Sequence, residues 1–370
     1  MKQHTYKIRL FLILILTFSL SVWVNAEDEI ELFVSHYKDS GDLNVFSPNV
    51  RINKTVDEDS NVAFKYGFEN FSKQAKSTSN ADDIDALSGA TTISGGSGGG
   101  FDQNRHEAVL SGNSRYGDLL LGGSLYASEE TDFSSRGFSV NYAEEFLQKN
   151  LTLSANYSYT YDQIDVDSLT VKGVQDKKSQ FIAFGLTQLL SPVSLINAGY
   201  SFGYVKGYQS NPLRKIIVEA PFALETYDEF HPDKRLRHTL FFGGSYYWLN
   251  RMSLNSDISL YTDDWGLKSS SAQFLLNKYL FSKWIIQGRL RFYNQSESDF
   301  YQELYTQRQN IMTADTRLRP FKSILLGVKL TYRPPIFVRG WRLSIAYNRY
   351  QETNNGLSAN IFKLSTVFPY

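Results

Sequence analysis

Between Trp284 and Tyr293 the even positions are Trp284, Ile286, Gly288, Leu290 and Phe292, whereas the odd positions include Gln287, Arg289 and Arg291. One face is oily and the other carries charge, the period-two pattern of a strand with different surroundings on its two sides. The same split recurs at Trp341, Leu343, Ile345 and Tyr347 against Arg342, Ser344 and Asn348. It recurs again at Leu151, Leu153, Ala155, Tyr157 and Tyr159 against Thr152, Ser154, Asn156 and Ser158. Segments of about ten residues with this alternation are the signature of a transmembrane β-barrel. Aromatics gather near segment ends, at Phe202, Tyr204, Trp284, Phe292, Trp341 and Tyr347, where amphipathic rings prefer the membrane interface. A soluble sandwich alternates as well, but rarely sets Trp and Tyr in rings at both ends.

The pattern predicts strands in one direction near 29–38, 61–71, 118–128, 151–161, 193–204, 252–262, 284–293 and 341–350. In the other direction it predicts 43–55, 105–115, 136–146, 179–189, 236–247, 267–276, 315–332 and 357–370. The total is sixteen, the even number that a single-chain bacterial barrel with both termini in the periplasm requires. The connections sort by length. Those at 56–60, 116–117, 147–150, 190–192 and 248–251 are tight turns on one side. Those at 72–104, 162–178, 205–235 and 294–314 are long loops on the other, as periplasmic turns and outer loops are. Pro320 falls within 315–332, which is tolerable where a strand projects beyond the bilayer; a split there would break parity.

Composition narrows the function classes. The absence of Cys excludes disulfides, zinc-thiolate sites, iron–sulfur clusters and thiol catalysis together. Lys plus Arg and Asp plus Glu are 38 each, so no charge excess points to nucleic acid. A hydrophobic fraction of 42% and a mean hydropathy of -0.32 are too apolar for disorder and too polar for a bundle of membrane helices. Residues 1–26 read as a secretory signal peptide: Lys2, Lys7 and Arg9, an apolar run from Leu10 to Val24, and a small-residue cleavage site at Val24-Asn25-Ala26. Residues 27–370 are then the barrel, in the outer membrane of a Gram-negative bacterium.

The last predicted strand places Phe362, Leu364, Phe368 and Tyr370 on one face. This resembles the C-terminal aromatic signal read by the barrel-assembly machinery, with Pro369 a departure. Other stretches are familiar in order: Asp85-Ala-Leu-Ser-Gly-Ala-Thr91, Ser128-Glu-Glu-Thr-Asp-Phe-Ser134, Asn211-Pro-Leu-Arg214, Pro232-Asp-Lys-Arg-Leu-Arg237, Asp263-Asp-Trp-Gly266, Gln295 with Asp299-Phe-Tyr301, and Asp315-Thr-Arg-Leu318. Nearly the whole mature chain resembles the family called DUF3570. The resemblance implies an outer-membrane protein of undetermined function, often met beside flavin-transferase and thioredoxin-like genes, with no catalytic residue to carry over. Its motif residues Arg235, Arg237, Asp263, Asp264, Trp265 and Gly266 fall in outer loops or the strand ends that feed them. They form a recognition surface or lid, or simply brace the mouth.

For an outer-membrane hydrolase, Asp263-Asp264 would have to activate water beside His36, His106, His231 or His238, but adjacent aspartates are more often turn formers. The acidic clusters Asp82, Asp83, Asp85 and Asp162, Asp165, Asp167 lack the full calcium-loop pattern. The run Ser94–Gly100 lacks the Lys-Ser/Thr of a phosphate loop and reads as linker. Ile216-Ile-Val218 and Phe222-Ala-Leu224 make loop 205–235 too apolar for a solvated arm, so it should fold into the mouth or dock on a neighbour.

The reading is an all-β, sixteen-stranded barrel without catalysis, metal or cofactor, passing small solutes. The alternative is a scaffold or conduit for a periplasmic redox or flavin-bearing partner, suggested by the family's company. The other partners are outer-membrane lipids and the assembly machinery. Predicted inward residues are Arg289, Arg291, Lys329, Arg342 and Lys363, with Arg51 and Lys65 beside them, opposite Ser154, Asn156, Ser158, Thr187, Asn197, Ser201 and Asp257. Such a basic wall favours anions or dipolar solutes, unless its charges are taken up by inward carboxylates such as Glu69 and Glu145.

Overall fold

A strand that is oily on one face and polar on the other leaves backbone groups unpaired along any free edge, and closing the sheet on itself removes every edge. The structure, a computed structural model describing residues 28–73, 101–221, 223–248, 250–335, 340–353 and 356–370, is such a closed barrel. In chain order the strands are β1 (Glu29–Asp39), β2 (Leu43–Thr55), β3 (Ser60–Lys73), β4 (Phe101–Tyr116), β5 (Leu119–Glu129), β6 (Phe133–Phe146), β7 (Leu151–Asp167), β8 (Lys172–Ser191) and β9 (Ser194–Gly207). After a hairpin of β10 (Lys215–Ala220) and β11 (Ala223–Asp228) come β12 (Lys234–Trp248), β13 (Met252–Asp263), β14 (Lys268–Leu280), β15 (Trp284–Gln295), β16 (Phe321–Tyr332), β17 (Arg342–Glu352) and β18 (Ser358–Pro369). Sixteen of these, all but β10 and β11, pair antiparallel with their neighbours, and β1 closes the circle against β18 from Glu29↔Pro369 to Asp39↔Ala359.

Alternation survives around the whole circumference. Leu125, Phe184, Val328 and Ile345 are each more than half exposed on the outer surface, and Phe64, Leu110, Phe242, Ile258 and Phe362 join the same belt. Apolar surface on that scale is a membrane-facing band. Among the described residues no helix is long and apolar enough to cross a membrane.

The predicted strands hold, with three differences. The strand predicted over 315–332 begins at Phe321; Thr316–Leu318 is a short 3-10 turn capped by Asp315, and Pro320 sits just ahead of the ladder, where its missing N–H costs nothing. Parity therefore stands. The loop predicted over 162–178 shrinks to 168–171, because β7 and β8 continue their ladder through Asp162↔Lys177 and Asp165↔Val174. Here the apolar positions of β7 switch from the outer face to the inner one, at Ile164 and Val166, so the membrane pattern breaks although the hydrogen bonds persist. Loop 205–235 contains the β10–β11 hairpin, and the loop predicted over 294–314 runs from 296 to 320. The signal peptide, the cluster Asp82, Asp83 and Asp85, the run Ser94–Gly100, Phe222 and most of loop 72–104 lie outside the described residues.

Candidate functional site

The register puts every residue predicted for the lumen on the inner face. Lys329, Ala346 and Lys363 are successive partners across β16, β17 and β18, and Arg289 lies opposite Gly327, whose lack of a side chain leaves room beside it. Arg289 donates from Nε and Nη2 to Gln273 Oε1 at 2.9 and 2.6 Å. Arg291 stands 5.9 Å from the Tyr293 ring centre and Lys363 5.8 Å from that of Phe33. Other inward cations are matched: Lys65 with Glu107 at 2.6 Å, Arg342 with Glu29 at 2.9 Å, Arg105 with Glu69 and Arg115 with Glu145. Arg51 donates to Asn53. Among the described residues, Arg289, Arg291, Lys329 and Lys363 pair with no carboxylate. The far wall is neutral and small-sided: Ser124 and Ser139 bond at 2.8 Å beside Ser158, Asn141 faces Asn156, and Gly185 faces Gly199. Asp257, predicted for that wall, is instead on β13, two strands from β15, in register with Gly243 and Gln273 and so on the same side as Arg291.

Above this chamber the two long connections, 208–233 and 296–320, pack into one lid. Ile216 and Val218 alternate inward from the hairpin onto Tyr305 and Met312, all four at most 3% exposed. At its centre Arg214 Nη1 lies 3.2 Å from Glu229 Oε1 and 3.0 Å from Asp315 Oδ2. Glu229 also accepts from the Asn211 backbone N–H and the Thr313 hydroxyl, and His231 Nε2 is 3.5 Å from it. Burial by itself would raise the Glu229 pKa, but the neighbouring His231 and Arg214 outweigh it and hold it down at about 2. Asp228 accepts from Lys215, the Thr170 hydroxyl and backbone N–H groups of the β7–β8 turn, which together overcome burial and hold it well below the usual carboxylate range. Leu213 packs on Leu43, Val45 and Phe71 of β2 and β3, on the opposite side of the ring from β12 and β13, while Tyr208 packs on Phe133, Ile164 and Val166. The lid thus touches wall after wall around the mouth.

The motif residues are its masonry. Asp263 accepts the Trp265 and Leu267 backbone N–H groups on Oδ1, both at 3.0 Å, and Arg235 and Tyr261 on Oδ2. Asp264 accepts the Leu236 N–H, and the Trp265 indole donates to the Lys234 carbonyl beneath the Arg235 guanidinium. Arg237 is on the inner face, opposite Asp263 and Gly203. Gly266 has φ +81°, and a Cβ there would stand 2.0 Å from Asp299 Oδ1. Gly266→Ala is therefore expected to loosen this turn by about 1–3 kcal/mol, read as faster proteolysis of loop 296–320 with unchanged barrel resistance.

Among the described residues, Asp263 and Asp264 bond to Arg235, Tyr261 and backbone N–H groups, while His231 lies in the lid with its ring centre 5.0 Å from that of Trp265. His36, His106 and His238 are on the outer face, bonded to Asn44, Tyr66 and Tyr200. Asp162 is inward with Ser135 and Lys177, whereas Asp167 is exposed beside Lys172, so that acidic cluster does not converge. The pairing of Arg214, Glu229 and Asp315 was missed from the sequence. Its only trace there is that two of the three stand in the Asn211–Arg214 and Asp315–Leu318 motifs.

The sequence profile of a family described as a protein of unknown function, DUF3570, matches residues 16–365. The chain belongs to the DUF3570 family. No curated protein matches it. Among solved structures, a bacterial polysaccharide outer membrane secretin aligns with TM-score 0.54 at 7% identity, over 94% of this chain and 100% of that one. A BenF-like porin from Pseudomonas fluorescens Pf-5 aligns with TM-score 0.44 at 10% identity, over 93% of this chain and 98% of that one. At such identities the first is a likeness of fold alone, and the second is looser still. Within this DUF3570 chain, Arg214, Arg235, Asp263, Trp265 and Asp315 build the lid turn and pin the loops together.

Proposed function

We propose that this DUF3570 protein is an outer-membrane channel or transporter for small anionic or dipolar solutes. Its long loops face outward, and both termini face the periplasm after cleavage of the leader near Ala26. In this reading it catalyses no reaction and holds no cofactor. The observation that carries the proposal is the set of inward cations, Arg289, Arg291, Lys329 and Lys363, left without carboxylate partners opposite a neutral wall of Ser, Asn and Gly. In a water-filled barrel of this strand number such an array sets a transverse field that draws anions and orients dipoles. Structural ion pairing would have consumed these charges, as it does for Lys65, Arg105, Arg115 and Arg342.

Reversal potentials in a potassium chloride gradient test this. Anion preference is expected, and Arg289→Glu with Arg291→Glu should move it toward cations. A channel that prefers cations from the outset, or a double variant of unchanged selectivity, places the basic wall outside the conduction path. A second reading is favoured by the lid that spans the mouth: a non-conducting barrel that scaffolds a periplasmic redox or flavin-bearing partner. Absence of conductance steps even after the lid is loosened would select it.

A further inference from the structure

Three lysines stand side by side on the outer surface near the loop end. Lys178 of β8 is the register partner of Lys206 of β9, which is in turn the partner of Lys234 of β12. All three are exposed. Like charges directly opposite one another on neighbouring strands destabilise a sheet. Strands lie about 4.8 Å apart, so the row concentrates three positive charges within about 10 Å.

Among the described residues, no nearby carboxylate forms an ion pair with the row. The ion pairs of this sector run to other cations, Lys177 with Asp162, Lys215 with Asp228 and Arg235 with Asp263, on the inner face or in the lid. Asp176, on the outer face, accepts from the Tyr161 hydroxyl. Among the described residues none of the three lysines is ion-paired. Toward the membrane the same face becomes mostly apolar and aromatic in register: Gln180, Tyr204 and Leu236, then Ile182, Phe202 and His238, then Phe184, Tyr200 and Leu240. Ile182, Phe184, Leu236 and Leu240 are each 36% exposed or more. Lys178 Nζ lies 5.9 Å from the Tyr161 ring centre, within cation–π reach at the edge of the row.

A compact row of unpaired ammonium groups directly above an apolar face matches an amphiphile with clustered phosphates and several acyl chains. We propose that Lys178, Lys206 and Lys234 form a binding site for the bisphosphorylated, acylated glucosamine disaccharide of the outer leaflet, lipid A. Its phosphates rest on the lysine row and its chains lie along Ile182, Phe184, Phe202 and Leu240. The site is separate from the lumen. It rests on the outward orientation of the loops but not on solute passage, so a barrel that never conducts would still bind.

Native mass spectrometry of the delipidated full chain, titrated in detergent with lipid A, dephosphorylated lipid A or phosphatidylglycerol, tests the proposal. Tight 1:1 retention of lipid A is expected, with the other two lipids weaker. Lys178→Gln, Lys206→Gln and Lys234→Gln together should weaken lipid A about 100-fold, since each lysine near an anionic lipid surface contributes about fivefold. Lys206→Met alone should give a clear loss that Lys206→Arg restores, which guards against a triple variant that assembles poorly. Lys278→Gln, at the opposite end of the outer face, should change nothing. Equal binding of lipid A by wild type and variants, or wild-type binding of phosphatidylglycerol as tight as lipid A, overturns the site in favour of unspecific annular lipid.

Discussion

Arg214→Ala is expected to turn a barrel that opens rarely into one that conducts for most of a recording. The guanidinium is 5% exposed and bridges Glu229 and Asp315, which are 0% and 2% exposed. Its removal leaves two buried carboxylates without their shared cation, a loss of about 3–5 kcal/mol for a pair of this kind. The loops alone carry that loss, because none of the three residues belongs to a barrel strand. The open population should therefore rise by about two orders of magnitude or more while the wall stays intact. Open probability in planar bilayers measures the effect, and protease cutting near the exposed Leu224 reports it independently. Unchanged open probability with an uncut hairpin would mean that the ion network does not hold the lid.

The same network sets a pH dependence of known sign. In the closed lid Glu229 is depressed to about 2, and a released loop would return it toward its ordinary 4.5. A depressed carboxylate stabilises the closed state fully above the released value, and that contribution is lost as pH falls through the closed-state value. Asp315 is shifted the same way: Arg317 and Arg214 outweigh its burial. Wild-type closure should thus be steady from about pH 8 to 5, begin to weaken below about pH 4.5 and be lost as pH falls toward about 2. Opening confined to the range between pH 8 and 6 would point to a different group.

Deleting Phe368 to Tyr370 is expected to abolish accumulation in the outer membrane. Phe368 stacks on Trp341 with ring centres 5.1 Å apart, and Pro369 stands opposite Glu29 at the seam. The Tyr370 N–H donates to the Asp28 carbonyl at 2.9 Å, with Lys54 near its ring. These residues clasp β18 to β1 and to the end of β2, and a seam left open exposes backbone groups that lipid cannot satisfy. Lys363→Ala, on the inner face of the same strand, should leave levels normal. Immunoblots of membrane fractions decide; a truncated chain at wild-type abundance rules out an assembly role for the terminal aromatics.

Barrel strands were legible because each crosses from oil to water with a fixed period, so Arg289 and Leu290 declare opposite faces without knowledge of any partner. The same logic failed where the surroundings change: past Asp162 the apolar residues of β7, Ile164 and Val166, face inward against the lid instead of outward to lipid, so the pattern reverses although Asp165 and Val174 stay paired. The hairpin carried its own small alternation, Ile216 and Val218 in and Ile217 out, but six-residue strands are too short to stand out within a loop. The lid's centre was illegible for another reason. Arg214 and Asp315 meet across a hundred residues of intervening strands, and no local pattern states which buried charge will neutralise which.

Leu213 lies across the ring from β12, wedged against β2 and β3. A closed sheet holds its perimeter well, since stretching it breaks a hydrogen-bond ladder, but a thin tube ovalises under lateral pressure with little change in any one bond. A strut across the diameter resists that flattening. The loops that bar the mouth therefore also keep it round, and a barrel stripped of them should show not only a wider opening but also a fluctuating one, with conductance levels that spread as the surrounding bilayer is compressed.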